Sequence, residues 1–270
     1  MERVFSFCVA VGIAVGSCGA SGDHPWASEV RFYDAGIGVT PGYDDPTAAL
    51  GEPTRFTGEG IFPGAVTPFN SAWMETEIVS IGRGGSLIVA FDRPIVNDPL
   101  NPFGIDLLVF GNSFYFDDDF PHGRAGMLSA DGGIIEVSQD GDEWRTIPNA
   151  AADGLHPTLG YRDLTDPFSP VRGMIETDFT KPVDPSFVAT GLTFAEIVAG
   201  YDGSGGGTGV DIGLVGFDFI LYVRISNPMD NPFTVEIDGF AIVRPVPGPA
   251  AALVLGAGVM VISRRRRGSR

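Results

Sequence analysis

Glycine and proline interrupt this chain so often that long helices are excluded. The 270 residues include 38 glycines and 21 prolines, and both residue types disfavour the interior of a helix. The apolar segments between them are short and rich in Val, Ile and Phe, as expected for strands. The pattern therefore predicts an all-β protein, either a sandwich or a barrel, with turns at the interruptions.

Several segments show the strand pattern clearly. The strongest are residues 86–91, 105–110, 219–226 and 233–243, of which the last two are predicted as the final pair. Residues 134–138 are followed by Asp140-Gly141 and Trp144, which predicts a hairpin, because Asp-Gly provides the positive φ angles of a two-residue turn. A helix is predicted only within residues 187–199, and Gly191 keeps it short.

The first twenty residues have the three zones of a secretory signal peptide. Arg3 supplies the positive charge, residues 4–15 are apolar, and small residues follow up to Ala20. We therefore expect export, with residues 1–20 as the signal. Residues 15–18, Val-Gly-Ser-Cys, also match loosely the lipobox at which Cys18 would be acylated. Cleavage by signal peptidase I and lipidation at Cys18 are two alternatives, of which we favour cleavage.

A second sorting pattern lies at the C-terminus. It consists of Val246, Pro247, Gly248 and Pro249, then the apolar and glycine residues 250–262, then Arg264, Arg265, Arg266 and Arg267. As a helix, residues 250–262 would be roughly 20 Å long, whereas the bilayer core is about 30 Å thick. Such a helix holds the chain in the membrane transiently, and the arginines keep its end on the cytoplasmic side. The alternative is an ordinary tail anchor.

This tail resembles the PEP-CTERM sorting signal of Gram-negative bacteria that produce exopolysaccharide. The resemblance covers residues 246–270, with Gly248 where that family has glutamate. It implies an exosortase-type processing enzyme as a partner and membrane contact through the C-terminal helix before processing. It also implies a final location at the cell surface, in the outer envelope or in the extracellular matrix. Residues 21–245 then form the exported domain.

The exported domain lacks cysteine, since Cys8 and Cys18 both lie in the predicted signal. Without disulfides, its stability must come from a large core, a metal or both. The formal net charge of the chain is −17, and the scarcity of Lys and Arg excludes nucleic acid as a partner. The acidity favours a divalent cation, calcium first. The alternative is that the acids only keep the surface solvated.

Six blocks of the exported domain support a second resemblance. In order they are residues 49–53, 81–91, 106–110, 136–144, 222–225 and 237–242. They resemble a discoidin-type, galactose-binding-like β-sandwich found in bacterial cell-surface proteins that carry this sorting tail. The resemblance implies a jelly roll with adjacent N- and C-terminal segments and with variable loops on the opposite side. In that fold the loops bind glycans or membranes, and a structural calcium often lies near the terminal segments.

The resemblance also implies which residues would bind calcium. Asp44 and Asp45 precede the first block, and Glu236 and Asp238 lie in the last strand, so these positions would come together. Calcium requires six to eight oxygen ligands, usually from several loops. The spacing of an EF-hand is absent, so ordinary solvated aspartates are the alternative.

A second pair of candidate calcium ligands, Asp202 and Asp211, flanks a glycine-rich segment at residues 203–209. This segment is not a phosphate-binding loop, because a Lys-Ser/Thr pair does not follow it and its glycine spacing is wrong. We predict it to be a flexible loop at the surface.

Residues 114–120, Phe-Tyr-Phe-Asp-Asp-Asp-Phe, form the most unusual internal stretch. The candidate ligand-binding residues are Phe114, Tyr115, Asp117, Asp118 and Asp119. Aromatic rings stack on the apolar face of a sugar while carboxylates take its hydroxyls, so the stretch favours carbohydrate binding. In the alternative, Phe114 and Phe116 point into the sandwich and the aspartates form a solvated turn.

We expect no enzymatic activity. His24, His122 and His156 stand without a Gly-x-Ser-x-Gly elbow, a His-Glu-x-x-His motif or a thiol. A carboxylate pair would serve a glycosidase only within a deep cleft. Two functions are left: a structural or adhesive module of the cell surface, and a lectin-like module that binds exopolysaccharide.

Overall fold

The computed structural model describes residues 24–244, and strands dominate this part of the chain. The strands are β1 (Glu29–Asp34), β2 (Phe56–Thr57), β3 (Gly64–Ala65), β4 (Val79–Ile81), β5 (Ser86–Val96), β6 (Leu107–Gly111), β7 (Phe114–Asp117), β8 (Ala125–Ser129), β9 (Gly132–Ser138), β10 (Arg145–Asp153), β11 (Thr208–Val210), β12 (Phe219–Ser226) and β13 (Val235–Ile242). One α-helix, α1 (Phe194–Gly200), occurs among the described residues, together with short 3-10 turns at Pro46–Ala49, Pro102–Gly104 and Ile212–Val215. The all-β prediction is confirmed.

The strands form two main sheets and two small ribbons, and every named strand pair is antiparallel. The five-stranded sheet has the order β1-β5-β12-β9-β10, and the four-stranded sheet has the order β11-β6-β13-β4. Strands β2 and β3 form one ribbon, and β7 and β8 form the other. Strands β10 and β11 are therefore edge strands of opposite sheets.

The two main sheets share one apolar core. Alternating residues of β5 (Leu87, Val89) and β12 (Val223, Ile225) point into it from the five-stranded sheet. Ile237 of β13 belongs to the same cluster from the four-stranded side. Because side chains alternate between the faces of a strand, the intervening residues form the outer faces. The arrangement is a β-sandwich with its main core between the sheets.

The outer face of the four-stranded sheet is covered by the long connection between β10 and β11. Leu108 and Phe110 of β6 pack there against Phe179, with the two phenyl rings 5.1 Å apart. A further apolar cluster forms around Phe194 and Tyr201 beside the β7–β8 ribbon. This third layer explains why outward-facing positions of β6 are as apolar as inward-facing ones.

Helix α1 is shorter than the predicted segment at residues 187–199. Thr193 starts the helix with a capping box, in which its hydroxyl and the Glu196 carboxylate each accept from the other residue's backbone N–H. Gly191 has a φ of 83°, which a helix does not allow. The helical part therefore begins at Phe194.

The predicted hairpin and the predicted last pair differ in outcome. Strands β9 and β10 do pair, but residues 139–144 connect them instead of a two-residue turn. The Asp140 carboxylate accepts from the N–H groups of Asp142 and Glu143, which stabilises the wider loop. The last two strands do not pair with each other, because β12 lies in the five-stranded sheet and β13 in the four-stranded sheet.

The prediction of a flexible surface loop at residues 203–209 is wrong. Ser204, Gly205 and Gly206 are buried. A Cβ atom on Gly205 would lie 2.0 Å from the Phe179 ring, and one on Gly206 would lie 2.5 Å from the Pro157 carbonyl oxygen. Glycine is needed here for close packing and not for mobility.

Candidate functional site

Three carboxylates meet at one end of the four-stranded sheet. They belong to Asp131, Asp153 and Glu236, and their ligand oxygens all lie within 4.8 Å of one another. Asp153 is almost fully buried, whereas Asp131 and Glu236 are partly buried. We call these three residues the acid cluster.

The acid cluster is assembled from three distant parts of the chain. Asp131 lies between β8 and β9, Asp153 ends β10, and Glu236 lies near the start of β13. The Asp153 carboxylate accepts from the Ser113 N–H at 2.8 Å and from the Asp131 N–H at 3.0 Å. A side chain at Gly111 would collide with Asp153, since its Cβ would lie 2.4 Å from Oδ1. The missing side chain at Gly111 thus leaves the space that Asp153 occupies.

Burial raises the pKa values of Asp153 and Glu236 toward and above neutral pH. Desolvation raises the pKa of Asp153 to about 7, although the two backbone N–H groups favour its charged form. Desolvation also raises the pKa of Glu236 to about 8, and the neighbouring carboxyl of Asp131 adds to the rise. The hydroxyls of Ser80 and Thr234 donate to Glu236 Oε1 and oppose the rise.

This geometry allows two chemical states of the acid cluster. The carboxyls can share protons, or a single divalent cation can replace those protons. Calcium holds its oxygens at about 2.3–2.6 Å, so two ligands across the ion are separated by up to about 5 Å. Three carboxylates supply only part of the six to eight oxygens that calcium requires. Calcium binding therefore stays a prediction.

Of the four predicted metal ligands, the acid cluster contains only Glu236. Asp44 and Asp45 are exposed, and the Asp45 carboxylate caps the Pro46–Ala49 turn by accepting from Thr47. Asp238 is buried and accepts from both the N–H and the hydroxyl of Thr54. Burial raises the pKa of Asp238 to about 7.

The second predicted pair is held by local contacts. Asp202 forms an ion pair with Lys181, with Oδ2 and Nζ 2.8 Å apart. The Asp211 carboxylate accepts from the Gly213 N–H and caps the Ile212–Val215 turn. Each carboxylate thus has its own structural contact.

The sequence interpretation missed Asp131 and Asp153. Each of them directly precedes glycine at a strand boundary, since Asp131 stands just before the first residue of β9 (Gly132) and Asp153 is the last residue of β10, followed by Gly154. An acid before glycine at a strand end is the local signal that was available. It does not reveal that these two ends meet at Glu236.

The aromatic stretch at residues 114–120 forms β7 and the turn that follows it. Phe116 is 47% exposed, and its ring centroid lies 5.3 Å from that of the partly exposed Phe114. Tyr115 points the opposite way into the apolar cluster, and its hydroxyl donates to the Leu155 carbonyl. Met127 on the neighbouring β8 is 71% exposed. The alternative is therefore wrong in placing Phe116 inside the sandwich, whereas its solvated turn is present at residues 117–119.

The three aspartates of this stretch have different environments. Asp117 accepts from the N–H groups of Asp119, Gly123 and Arg124 and so holds the turn together. Its partial burial acts to raise its pKa, but these backbone donors outweigh that effect and the pKa is lowered. Asp118 and Asp119 are exposed. Both are therefore accessible to a ligand, whereas Asp117 is engaged within the turn.

The two predicted sorting signals lie outside the described residues. They are the signal peptide at residues 1–20 and the tail with Val246, Pro247, Gly248, Pro249, Arg264, Arg265, Arg266 and Arg267. Within residues 24–244, no helix is both long and apolar enough to cross a membrane.

The fold thus defines the class: an all-β protein of antiparallel sheets with a partly buried acid cluster at one end of the four-stranded sheet. Comparisons with known protein families, with curated proteins and with solved structures found no match.

Proposed function

We propose that this chain is an exported module of the bacterial cell surface or extracellular matrix, and that its β-sandwich has a structural or adhesive role without catalysis. The relative position of the chain ends supports this proposal most directly. The Pro25 carbonyl accepts from the Ile242 N–H at 2.8 Å, and Trp26 forms a β-bridge with Ala241. The segments before residue 24 and after residue 244 are therefore attached at the same edge of the domain.

A module anchored at this edge presents its other end to the surroundings. Strand β13 runs from Glu236 in the acid cluster to Ile242 beside Pro25, and a strand rises about 3.3 Å per residue. The acid cluster thus lies roughly 20 Å from the attachment edge. The β7–β8 ribbon follows directly after the end of β6 that pairs with this part of β13. The domain then displays acidic and aromatic groups away from its anchor.

We assign the sandwich to the galactose-binding-like jelly-roll type. The antiparallel five-stranded and four-stranded sheets and the adjacent chain ends support this assignment. In a jelly roll of this type, the loops at the end opposite the termini are free to contact a ligand or a partner.

The sorting proposal predicts that export and processing require both termini. Removing residues 246–270 should abolish C-terminal processing and surface display, because the exosortase-type enzyme then has no signal to bind. Replacing Arg264, Arg265, Arg266 and Arg267 with serine should leave an unprocessed or mislocalised precursor. Arg270→Ser, outside the arginine cluster, is the matched control. Cell fractionation with immunoblotting measures both outcomes, and unchanged processing of the truncated chain would refute the sorting proposal.

Carbohydrate binding is the second candidate function, and the exposed aromatic face of β7 favours it. Phe114, Phe116 and Met127 together offer an apolar surface beside the exposed carboxylates Asp118 and Asp119. A pyranose can stack on such a surface while the carboxylates accept from its hydroxyls. Exopolysaccharide is the expected ligand.

A glycan array with the purified full chain separates the two candidates. In the lectin-like case Phe116→Ala should lower binding at least tenfold, whereas Phe233→Ala, at an exposed phenylalanine outside the β7–β8 ribbon, should not. The absence of binding to any polysaccharide, including that of the producing organism, would reject the lectin-like function and leave the structural module.

A further inference from the structure

Two loops meet at the end of the sandwich from which the chain leaves the domain. The first loop, residues 97–104, lies between β5 and β6, and the second, residues 211–218, lies between β11 and β12. The Asn97 N–H donates to the Asp218 carbonyl at 2.9 Å. A Cβ atom on Gly213 would lie 2.8 Å from the side-chain nitrogen of Asn97. We call these two contacting loops the exit loops.

Asp106 connects both exit loops to the last residues of the domain. Its carboxylate accepts from the Asp98 N–H at 3.1 Å in the first loop and from the Ile212 N–H at 3.2 Å in the second. Its backbone carbonyl accepts from the Val243 N–H at 2.9 Å. Asp106 itself is fully buried. The exit loops are therefore fixed beside the position at which residues 245–270 begin.

The exit loops expose large apolar side chains. Leu100 is 73% exposed, Phe103 is 56% exposed and Leu214 is 63% exposed. Phe103 has a φ of 60°, a conformation that bulky residues seldom adopt and that persists only where the surrounding structure enforces it. Clustered apolar groups at a surface mark a contact with a protein or a membrane. The exit loops contain no lysine or arginine, so their contact depends on apolar side chains and not on attraction to anionic groups.

The chain that follows the domain favours a membrane as the partner. The apolar segment 250–262 begins six residues after Arg244, and six residues span at most about 22 Å. In the function proposed above, on which this inference rests, the segment enters a bilayer. The surface of that bilayer is then kept close to the exit loops. Tethering over so short a distance raises the effective concentration of the loops at the lipid, so weak apolar contacts are sufficient.

We propose that the exit loops insert their apolar side chains into the surface of the bilayer that holds the C-terminal segment before processing. Leu100, Phe103 and Leu214 reach the boundary between headgroups and acyl chains, where apolar side chains of surface-bound proteins are buried. The Asp98 and Asp211 carboxylates accept from backbone N–H groups of their own loops. The domain is thereby held with this end against the membrane, and the acid cluster and the β7 aromatic face point away from it.

A fluorescent label at single positions of the full chain tests this contact. The chain is reconstituted in vesicles of phosphatidylcholine, a lipid without net charge, after replacement of Cys8 and Cys18 by serine. An environment-sensitive dye is attached to Phe103→Cys in the exit loops, to Ala257→Cys in the C-terminal segment, or to Phe233→Cys. Phe233 is the matched control, because it is 57% exposed and lies between β12 and β13, at the opposite end of the domain.

Quenching by nitroxide-labelled phosphatidylcholine reports which labels touch lipid. The label at position 103 should be quenched at least about threefold more than the label at position 233, because only the exit loops lie at the bilayer surface. Leu214→Ser should reduce the quenching at position 103 at least about twofold, because it removes apolar surface from the contact. Met229→Ser is the control for this change, since Met229 is 62% exposed and lies between β12 and β13. It should leave the quenching unchanged.

The three label positions separate failure of this inference from failure of the proposed function. If the label at position 257 is not quenched, the C-terminal segment does not enter the bilayer, and the loop contact fails with it. If position 257 is quenched but position 103 is quenched no more than position 233, the loop contact alone is refuted. A blue-shifted label at position 103 without quenching by lipid would also refute it, because residues 250–262 or a second copy of the chain would then cover the exit loops.

Discussion

Replacing Glu236 with glutamine should make the protein more stable at pH 8 and flatten the pH dependence of its stability. Glu236 Oε1 accepts from the hydroxyls of Ser80 at 3.1 Å and Thr234 at 2.6 Å, and its carboxyl also bonds to that of Asp131. A glutamine keeps the acceptor and offers an amide N–H to Asp131, as the protonated acid does. The variant therefore imitates the protonated acid cluster at every pH.

The sign of the effect follows from the raised pKa. The pKa of Glu236 rises from 4.5 in the unfolded chain to about 8 in the native protein, chiefly through burial. Between about pH 4.5 and pH 8 the Glu236 carboxyl is ionised in the unfolded chain but still protonated in the native state, so the free energy of unfolding falls as pH rises. The stabilising contribution of the protonated Glu236 carboxyl is complete below about pH 4.5 and is lost as the pH rises through about 8.

The magnitude follows from the size of the shift. At about 1.4 kcal/mol per pKa unit, the shift corresponds to at most about 5 kcal/mol. The partly exposed Asp131 admits water to the acid cluster, so we expect about half of this value. Asp153 and Asp238 have pKa values raised in the same direction. The Glu236→Gln variant should therefore reduce the pH dependence without abolishing it.

Urea unfolding of the full chain from pH 5 to pH 9, with a chelator present, measures this effect. The wild type should lose stability as pH rises, and Glu236→Gln should exceed it by about 2–3 kcal/mol at pH 8 while nearly matching it at pH 5. Glu75→Gln, at an exposed position, should follow the wild type throughout. Parallel curves for wild type and Glu236→Gln, or a less stable variant at pH 8, would show that the acid cluster does not hold the proton.

The class of the fold was predictable because its signals are local. Alternation of side chains in a segment such as residues 219–226 depends only on the period of a strand. The segment appears as β12 with these same bounds. Pairing was less predictable, since it is decided by the whole topology. Strands β12 and β13 are neighbours in sequence but lie in opposite sheets.

The acid cluster was not predictable from local pattern. Glu236 was among the expected metal ligands, but its partners Asp131 and Asp153 come from distant strand ends. Asp238 was expected beside it, because alternation places residues two apart on the same face of a strand. The shift in pairing between Ile237 and Gly239 instead gives Asp238 a separate environment next to Thr54. Charge and composition show that acids are abundant. Only the path of the chain shows which of them meet.

Three further predictions concern stability. Millimolar calcium at pH 8 should raise the melting temperature by several degrees, at about 2–4 °C per kcal/mol, and magnesium should raise it less. Asp131→Asn should abolish the rise caused by calcium. If calcium does not raise the melting temperature of the wild type, the acid cluster does not bind calcium. Tyr201→Phe should lower the free energy of unfolding by about 1–2 kcal/mol, because the buried hydroxyl donates to the Pro157 carbonyl, and an unchanged urea midpoint would contradict this. Gly205→Ala should cost about 3 kcal/mol or more, since the added Cβ would lie 2.0 Å from the buried Phe179 ring. Gly191→Ala, where a Cβ meets nothing within 4 Å, should cost only about 1–2 kcal/mol of backbone strain. Equal losses for these two alanine variants in urea unfolding would mean that the glycine-rich segment is not packed against Phe179, and a mobile surface loop would then describe it better.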